Sequence, residues 1–324
     1  MYGGRLAVAL LAAALLPAGV ARAGDVKVDA AIAPYQKTSG VAGNLSSIGS
    51  DTLNNVMTLW AETFRKEYPS VQVQVEGKGS STAPPALIAG TAQLGPMSRA
   101  MKADELDAFE KKFGYPPTQI RVAIDALAVY VNKDNPLDKL TLTQVDAIFS
   151  KARRCGAPAA IDNWADAGVK GGLAGQPIRL YGRNSASGTY GYFKETALCG
   201  GDYRDTVKEQ PGSAAVVQGV TEDKQGMGYS GIGYKTSGVK TLALAKDANS
   251  AFSSTDPEQV YAGKYPLSRF LYVYVNRAPG KPLDPLTEQF LRFVLSREGQ
   301  EVVVKDGYLP LKADTVSQEL VKLK

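Results

Sequence analysis

Four times along this chain, a run fit for a strand ends in a short stretch of Ser, Thr and Gly and passes towards a segment fit for a helix. The clearest case is Gly182-Arg183-Asn184-Ser185-Ala186-Ser187-Gly188-Thr189-Tyr190-Gly191, which follows the apolar run Pro177–Tyr181 and precedes Tyr192–Leu198. The first turn of a helix holds backbone N–H groups without intrahelical partners, and the helix dipole adds partial positive charge there. Ser, Thr and Gly are common at that position. Such a turn with an Arg just before it can hold an anion, because the guanidinium fork matches a tetrahedral oxyanion. A single example is usually only a helix cap, so the weight lies in the repetition.

The other three cases come earlier. Gly43–Gly49 reads as a strand running into Ser50-Asp51-Thr52. Leu53, Val56, Met57, Leu59, Trp60 and Phe64 then recur at helical spacing up to Pro69. Val71–Val75 alternates as a strand does and leads through Gly79-Ser80-Ser81-Thr82 into a helix with Pro84 and Pro85 at its start, where proline is tolerated. Gln93-Leu94-Gly95-Pro96-Met97-Ser98-Arg99 is the last of these turns, before an amphipathic helix over Lys102–Phe113. Further helices are expected over Leu140–Phe149, from Gln210-Pro211-Gly212-Ser213-Ala214 to about Val220, and over Asp284–Leu295, with Gly299–Lys305 as its extension or a new helix, and a short strand over Thr241–Ala245. Two long apolar strands, Arg121–Asn132 and Ser268–Asn276, each contain Val-Asn at the end and suit crossings between two domains. The alternation predicts an α/β fold with largely parallel sheets. In such sheets the turns gather at the carboxyl ends of the strands, where ligands bind. Gly226-Met227-Gly228-Tyr229-Ser230-Gly231 matches G-x-G-x-x-G, but it lacks the preceding apolar strand and following helix of a dinucleotide site, so it is read as a strand.

Composition closes several alternatives. The 324 residues suffice for two domains. There is no histidine, which excludes a Ser-His-Asp triad and His-based zinc sites, and two cysteines are too few for a structural zinc site. Neither a metal nor a cofactor is expected. Residues 1–23 read as a secretory signal: Arg5, an Ala/Leu/Val run over Leu6–Leu16, and Ala21-Arg22-Ala23 as the cleavage pattern. Its removal takes the formal charge from +5 to +3. There is no Lys/Arg run of the kind that tracks nucleic acid. The mature protein is expected to be exported, soluble and monomeric, with Cys155 and Cys199 joined in a disulfide.

Brought together, the turns supply neutral donors and one or two arginines, a cage for a small oxyanion that needs no metal. A carboxylate would add selectivity. It accepts a hydrogen bond from hydrogen phosphate but repels sulfate, which has no proton to donate. Asp51 and Asp125 are the candidates. Asp51 could instead cap its helix. Asp125 is the one charge inside an apolar strand, costly unless paired, with Arg99 or Arg121 as its expected partner.

Gly49-Ser50-Asp51-Thr52, Gly79-Ser80-Ser81-Thr82, Pro96-Met97-Ser98-Arg99 and Arg183-x-x-x-Ser187-Gly188-Thr189, in that order, resemble the periplasmic phosphate-binding proteins of bacterial high-affinity phosphate ABC transporters. The resemblance runs from about Gly43 to the C-terminus. It implies a type II periplasmic binding protein, with two α/β domains of mixed sheets joined by two crossing strands. Residues 24–127 with 264–324 would form domain I and residues 128–263 domain II. It implies phosphate capture between the domains, delivery to a membrane permease and no catalysis. Arg183 would clamp the phosphate, helped by Ser187, Gly188 and Thr189 on one side. Ser50, Thr52, Ser80 and Ser81 would serve on the other; the reading of the turns and of the isolated charges adds Ser98, Arg99, Asp51 and Asp125 to the candidate set. Many members of the family carry an Asp where this chain has Ser98-Arg99, so either Asp125 or Asp51 supplies the accepting carboxylate or discrimination against sulfate is weaker here. Another oxyanion, sulfate or molybdate, or a secreted phosphatase activity, are the alternatives.

Overall fold

The computed structural model describes residues 26–324, so the expected signal segment lies outside the described residues. Two large hydrophobic cores organise the described residues, with two smaller clusters beside them. The first draws on both ends of the sequence, among them Trp60, Phe64, Val122, Leu271, Phe290, Val303 and Leu323. The second draws on the middle, including Val129, Phe149, Trp164, Phe193, Tyr229 and Leu267.

Around the first core, the parallel pair Gly43–Ile48 and Val71–Glu76 lies beside a sheet in which Ser268–Val275 is flanked, antiparallel, by Gly95–Met97 and Thr118–Ala126. Helix Asn54–Glu67 covers it with one buried stripe, Val56, Met57, Trp60 and Phe64, the i, i+4 spacing that a half-buried helix requires. Around the second core, five strands run in the order Val239–Thr241, Ala128–Asn132, Gly226–Ser230, Arg179–Arg183, Lys208–Gln210. The first three pair antiparallel and the last two join in parallel. The sheets are therefore mixed rather than largely parallel. Gly226–Ser230 is a fully buried strand, followed by a three-residue 3-10 turn, Ile232–Tyr234, rather than the α-helix of a dinucleotide site. Cys155 and Cys199 form a disulfide with Cα atoms 5.5 Å apart.

Two expected strands are each broken. Arg121–Asn132 is two strands, Thr118–Ala126 and Ala128–Asn132, in different sheets. At the break the Leu127 N–H donates to Leu267 O at 3.0 Å, beside the point where Ser268–Val275 begins. The chain passes here from one core to the other. Ala126, Leu127 and Ala128 around the break are all fully buried, so the apolar run is unbroken in sequence although the sheet changes. Thr241–Ala245 splits in the same way at Leu242, whose N–H donates to Val129 O at 2.9 Å. Helix Ala313–Val321, not among the expected helices although Val316, Leu320 and Leu323 have helical spacing, closes the first domain by burying Glu319 against Arg121. No helix among the described residues is long and apolar enough to cross a membrane.

Candidate functional site

Three of the four turns belong to the first domain and are tied to one another. Ser50 N–H donates to Pro96 O at 2.8 Å, and Gly79 N–H donates to Gly49 O at 2.7 Å. Ser98 N–H donates to Ser80 Oγ at 3.1 Å, and the two hydroxyls are 3.3 Å apart. Gly79 has φ +113°, a conformation that side chains disfavour, and a Cβ there would lie 2.6 Å from Ala186 O. The fourth turn faces these three from the second domain. Ser187 caps helix Gly188–Ala197 by accepting from Thr189 N at 3.1 Å and Tyr190 N at 3.4 Å.

The walls touch. Ser81 N–H donates to Ala186 O at 3.1 Å, and the Thr52 and Thr189 hydroxyls are 2.8 Å apart. Gly188 lies against Ser80 and Ser98, so closely that a Cβ would be 2.7 Å from Ser98 Oγ. Ser50, Thr52, Ser80, Ser98, Ser187 and Thr189 are all buried, with Ser81 half-buried. The structure thus brings all four turns to one interdomain cleft in a closed arrangement.

The charged residues sort differently from the expectation. Arg183 ends its strand with a side chain 1% exposed. Its Nη1 donates to Ser213 Oγ at 2.7 Å and lies 3.1 Å from Asp51 Oδ2 across the cleft. Its Nη2 reaches Pro211 O at 3.4 Å, and its Nε is buried with no protein acceptor. Burial lowers the Arg183 pKa from its ordinary value, and Asp51 opposes that shift. Arg99 does not present its fork to the cleft. It grips Glu105 through Nη1 at 2.7 Å and Nη2 at 2.6 Å, with Ser81 Oγ 3.3 Å from Nη2. Glu105 sits in the first turn of the next helix, six residues on, and neutralises it there.

Asp125 is fully buried, and its partner is neither Arg99 nor Arg121 but Arg269, whose Nε and Nη2 donate to Oδ2 at 3.0 and 2.7 Å. The other oxygen, Oδ1, accepts from Ile232 N at 2.9 Å. Asp125 therefore sits behind the cleft wall. Arg269 was missed by sequence reasoning, although it carries the same signal as Asp125: one charge inside a long apolar strand. The two strands place them directly opposite each other. From there Arg269 reaches Ser98 O at 2.8 Å and Thr189 Oγ1 at 2.9 Å, with its guanidinium 5.1 Å from the Tyr192 ring centre. Ser213 and Tyr234 were also missed, and both touch Asp51. Ser213 carried the signal of the other turns, a Gly-Ser pair at an expected helix start, whereas Tyr234 carried none.

A family model described as the PBP superfamily domain matches residues 35–298. The phosphate-binding protein PstS of Pseudomonas aeruginosa is 58% identical over 315 residues, 97% of this chain and 98% of that one. The chain belongs to the PBP superfamily, and within it to the PstS family. A more distant relative, protein SphX of Synechococcus elongatus, is 29% identical over 88% of this chain and 83% of that one. Among solved structures, a Clostridium perfringens protein described as a phosphate ABC transporter substrate-binding protein, with bound phosphate, superposes with a TM-score of 0.70. It is 26% identical, and the match covers 83% of this chain and all of that one. A Vibrio cholerae phosphate transport receptor, at 23% identity and a TM-score of 0.62, shares the fold. The two-domain α/β architecture with mixed sheets is that of the PBP superfamily.

Proposed function

We propose that this protein captures inorganic phosphate in the cleft between its two domains and delivers it to an ABC permease, with no covalent chemistry. The observation that carries the reading is the convergence of four hydroxyl-rich turns on one buried cleft that also holds Arg183. Its PstS relatives and the phosphate-bound Clostridium perfringens structure point to the same ligand. Ser50, Thr52, Ser80, Ser81 and Ser98 act from one wall, and Ser187, Gly188 and Thr189 from the other. Arg183 supplies the charge, and its unpartnered Nε is a donor whose burial would cost free energy unless an oxyanion met it. Arg269 adds a second positive charge behind Thr189 and Ser98. Of the two candidate carboxylates, Asp51 lies in the cleft and is assigned to accept a hydrogen bond from hydrogen phosphate. Arg99 and Asp125 shape the wall without meeting the ligand.

In this proposal domain I comprises residues 24–127 with 264–324 and domain II residues 128–263, with Leu127 and Leu267 at the hinge. Residues 1–23 direct export to the periplasm, where the protein acts as a monomer and its closed form is recognised by the permease. Hinge closure on the anion is the working step. Equilibrium binding of labelled phosphate tests the reading: saturable binding is expected, and no binding at micromolar phosphate would overturn it. Competition by sulfate between about pH 5 and 8 measures the selectivity assigned to Asp51, since sulfate has no proton to offer.

A further inference from the structure

The helix Ser213–Glu222 begins at Gly212, which has no side chain to cap it. Its first N–H is satisfied from the other domain. Asp51 Oδ2 accepts from Ser213 N at 2.8 Å and from Ser213 Oγ at 2.8 Å, with Arg183 Nη1 3.1 Å away. Arg183 Nη1 also donates to Ser213 Oγ at 2.7 Å, so the three residues close a ring. The backbone makes room for it: a Cβ at Gly212 would stand 3.0 Å from Asp51 Oδ1. A fourth bond follows the same path, from Tyr234 OH to Asp51 O at 2.8 Å.

We propose that Asp51 and Ser213 form a cross-cleft clamp in which a carboxylate of the first domain caps a helix of the second, so that Ser213 is a positioning residue for ligand capture. The proposal rests on the cleft being the binding site, but the clamp itself needs no ligand. A helix N-terminus and a guanidinium are both stabilised by a nearby carboxylate. Those bonds exist only while the domains are closed. On opening, Asp51 returns to water and leaves the helix end and Arg183 facing solvent, an electropositive wall that attracts an anion. On closure the clamp re-forms beside the anion and slows its escape. Ser213 therefore acts on the dissociation rate and leaves the encounter rate nearly unchanged.

The test uses Ser213→Ala, Ser213→Thr and Gly212→Ala in the full mature chain. The distance between spin labels at positions 66 and 170 is measured with and without inorganic phosphate, together with stopped-flow phosphate kinetics. Ser213→Ala is expected to raise the dissociation rate about ten-fold with little change in the association rate, and to lower the closed population in ligand-free protein. Ser213→Thr, which keeps the hydroxyl, should restore most of both. Gly212→Ala should act like Ser213→Ala by crowding Asp51. An unchanged dissociation rate and an unchanged closed population in both Ser213→Ala and Gly212→Ala would overturn the clamp. A wild-type chain that binds no phosphate would sink the proposed ligand instead, and the ligand-free distance distributions would still decide the clamp.

Discussion

Two arginine–carboxylate pairs border this cleft, one behind its wall and one across it, and they are built differently. Arg269 and Asp125 come from adjacent antiparallel strands of one sheet, held opposite each other by the ladder. Arg183 and Asp51 come from different domains and meet only because the cleft is closed. The first pair cannot be separated without tearing the sheet. The second is separated by hinge motion alone. A buried ion pair adds little net stability, because desolvation offsets the attraction, but removing one partner strands a charge. In the first pair that stranded charge stays buried. In the second, opening returns it to water. One pair is thus a fixture of the wall, while the other is a contact that capture can make and break.

Breaking each pair should give opposite signatures. Asp125→Ala leaves Arg269 buried without a counter-charge and should cost about 3–5 kcal/mol of folding stability. Chemical denaturation checks it, and a loss below about 1 kcal/mol would show that Arg269 finds another partner. Arg183→Ala should instead fall on function. Phosphate affinity is expected to drop about a hundred-fold, by calorimetry, with a smaller stability loss than Asp125→Ala because Asp51 can be rehydrated. The comparison fails if the two variants lose stability equally and Arg183→Ala keeps its affinity.

Thr189→Val sharpens the link between the pairs. Its hydroxyl, on the second domain, meets both Arg269 and Thr52 of the first, so both bonds cross the cleft. The substitution removes both bonds at nearly constant volume and should weaken phosphate binding by about ten-fold. An unaltered affinity would confine Arg269 to a structural role.

Asp306 supplies the contrasting case, a carboxylate with no arginine. Its Oδ2 is buried without a partner, and desolvation pushes its pKa up to about 7. It lies near Tyr234 and Tyr308, where its charge would raise their pKa values further. With the folded-state pKa above the ordinary 3.8, the folded protein binds the extra proton. Stability from this group is therefore greatest in acid and is lost as pH rises towards about 7. Thermal melts of Asp306→Asn should lack that part of the pH slope. The effect is the smallest of the set, because the group is only half-buried and solvent screens it. An identical slope in the variant would show that Asp306 does not titrate there.

Much of the site was legible in the sequence because helix starts have local chemistry. Ser187 caps the helix it was expected to begin, and Thr141 caps Leu142–Phe149 through a reciprocal pair with Gln144. Such contacts span three residues, so neighbours in sequence are neighbours in space. Arg99 shows where that logic failed. The turn containing it was read correctly, but its fork is taken by Glu105, a choice between two acceptors that spacing does not rank. The strand Arg121–Asn132 failed for another reason. When both faces of a strand are buried, the apolar pattern continues through a change of sheet, and only the Leu127–Leu267 bond marks the crossing.

The sequence by itself determined the α/β class, the four turns, the absence of histidine chemistry and the residues that carry donors. Each follows from composition or from interactions within a few residues. Only the tertiary structure decided who pairs with whom: Arg269 with Asp125 across a sheet, and Asp51 with Ser213 and Arg183 across a cleft. Asp51 and Ser213 are separated by 162 positions. Contacts over that span are set by the packing of two domains, which no local pattern encodes.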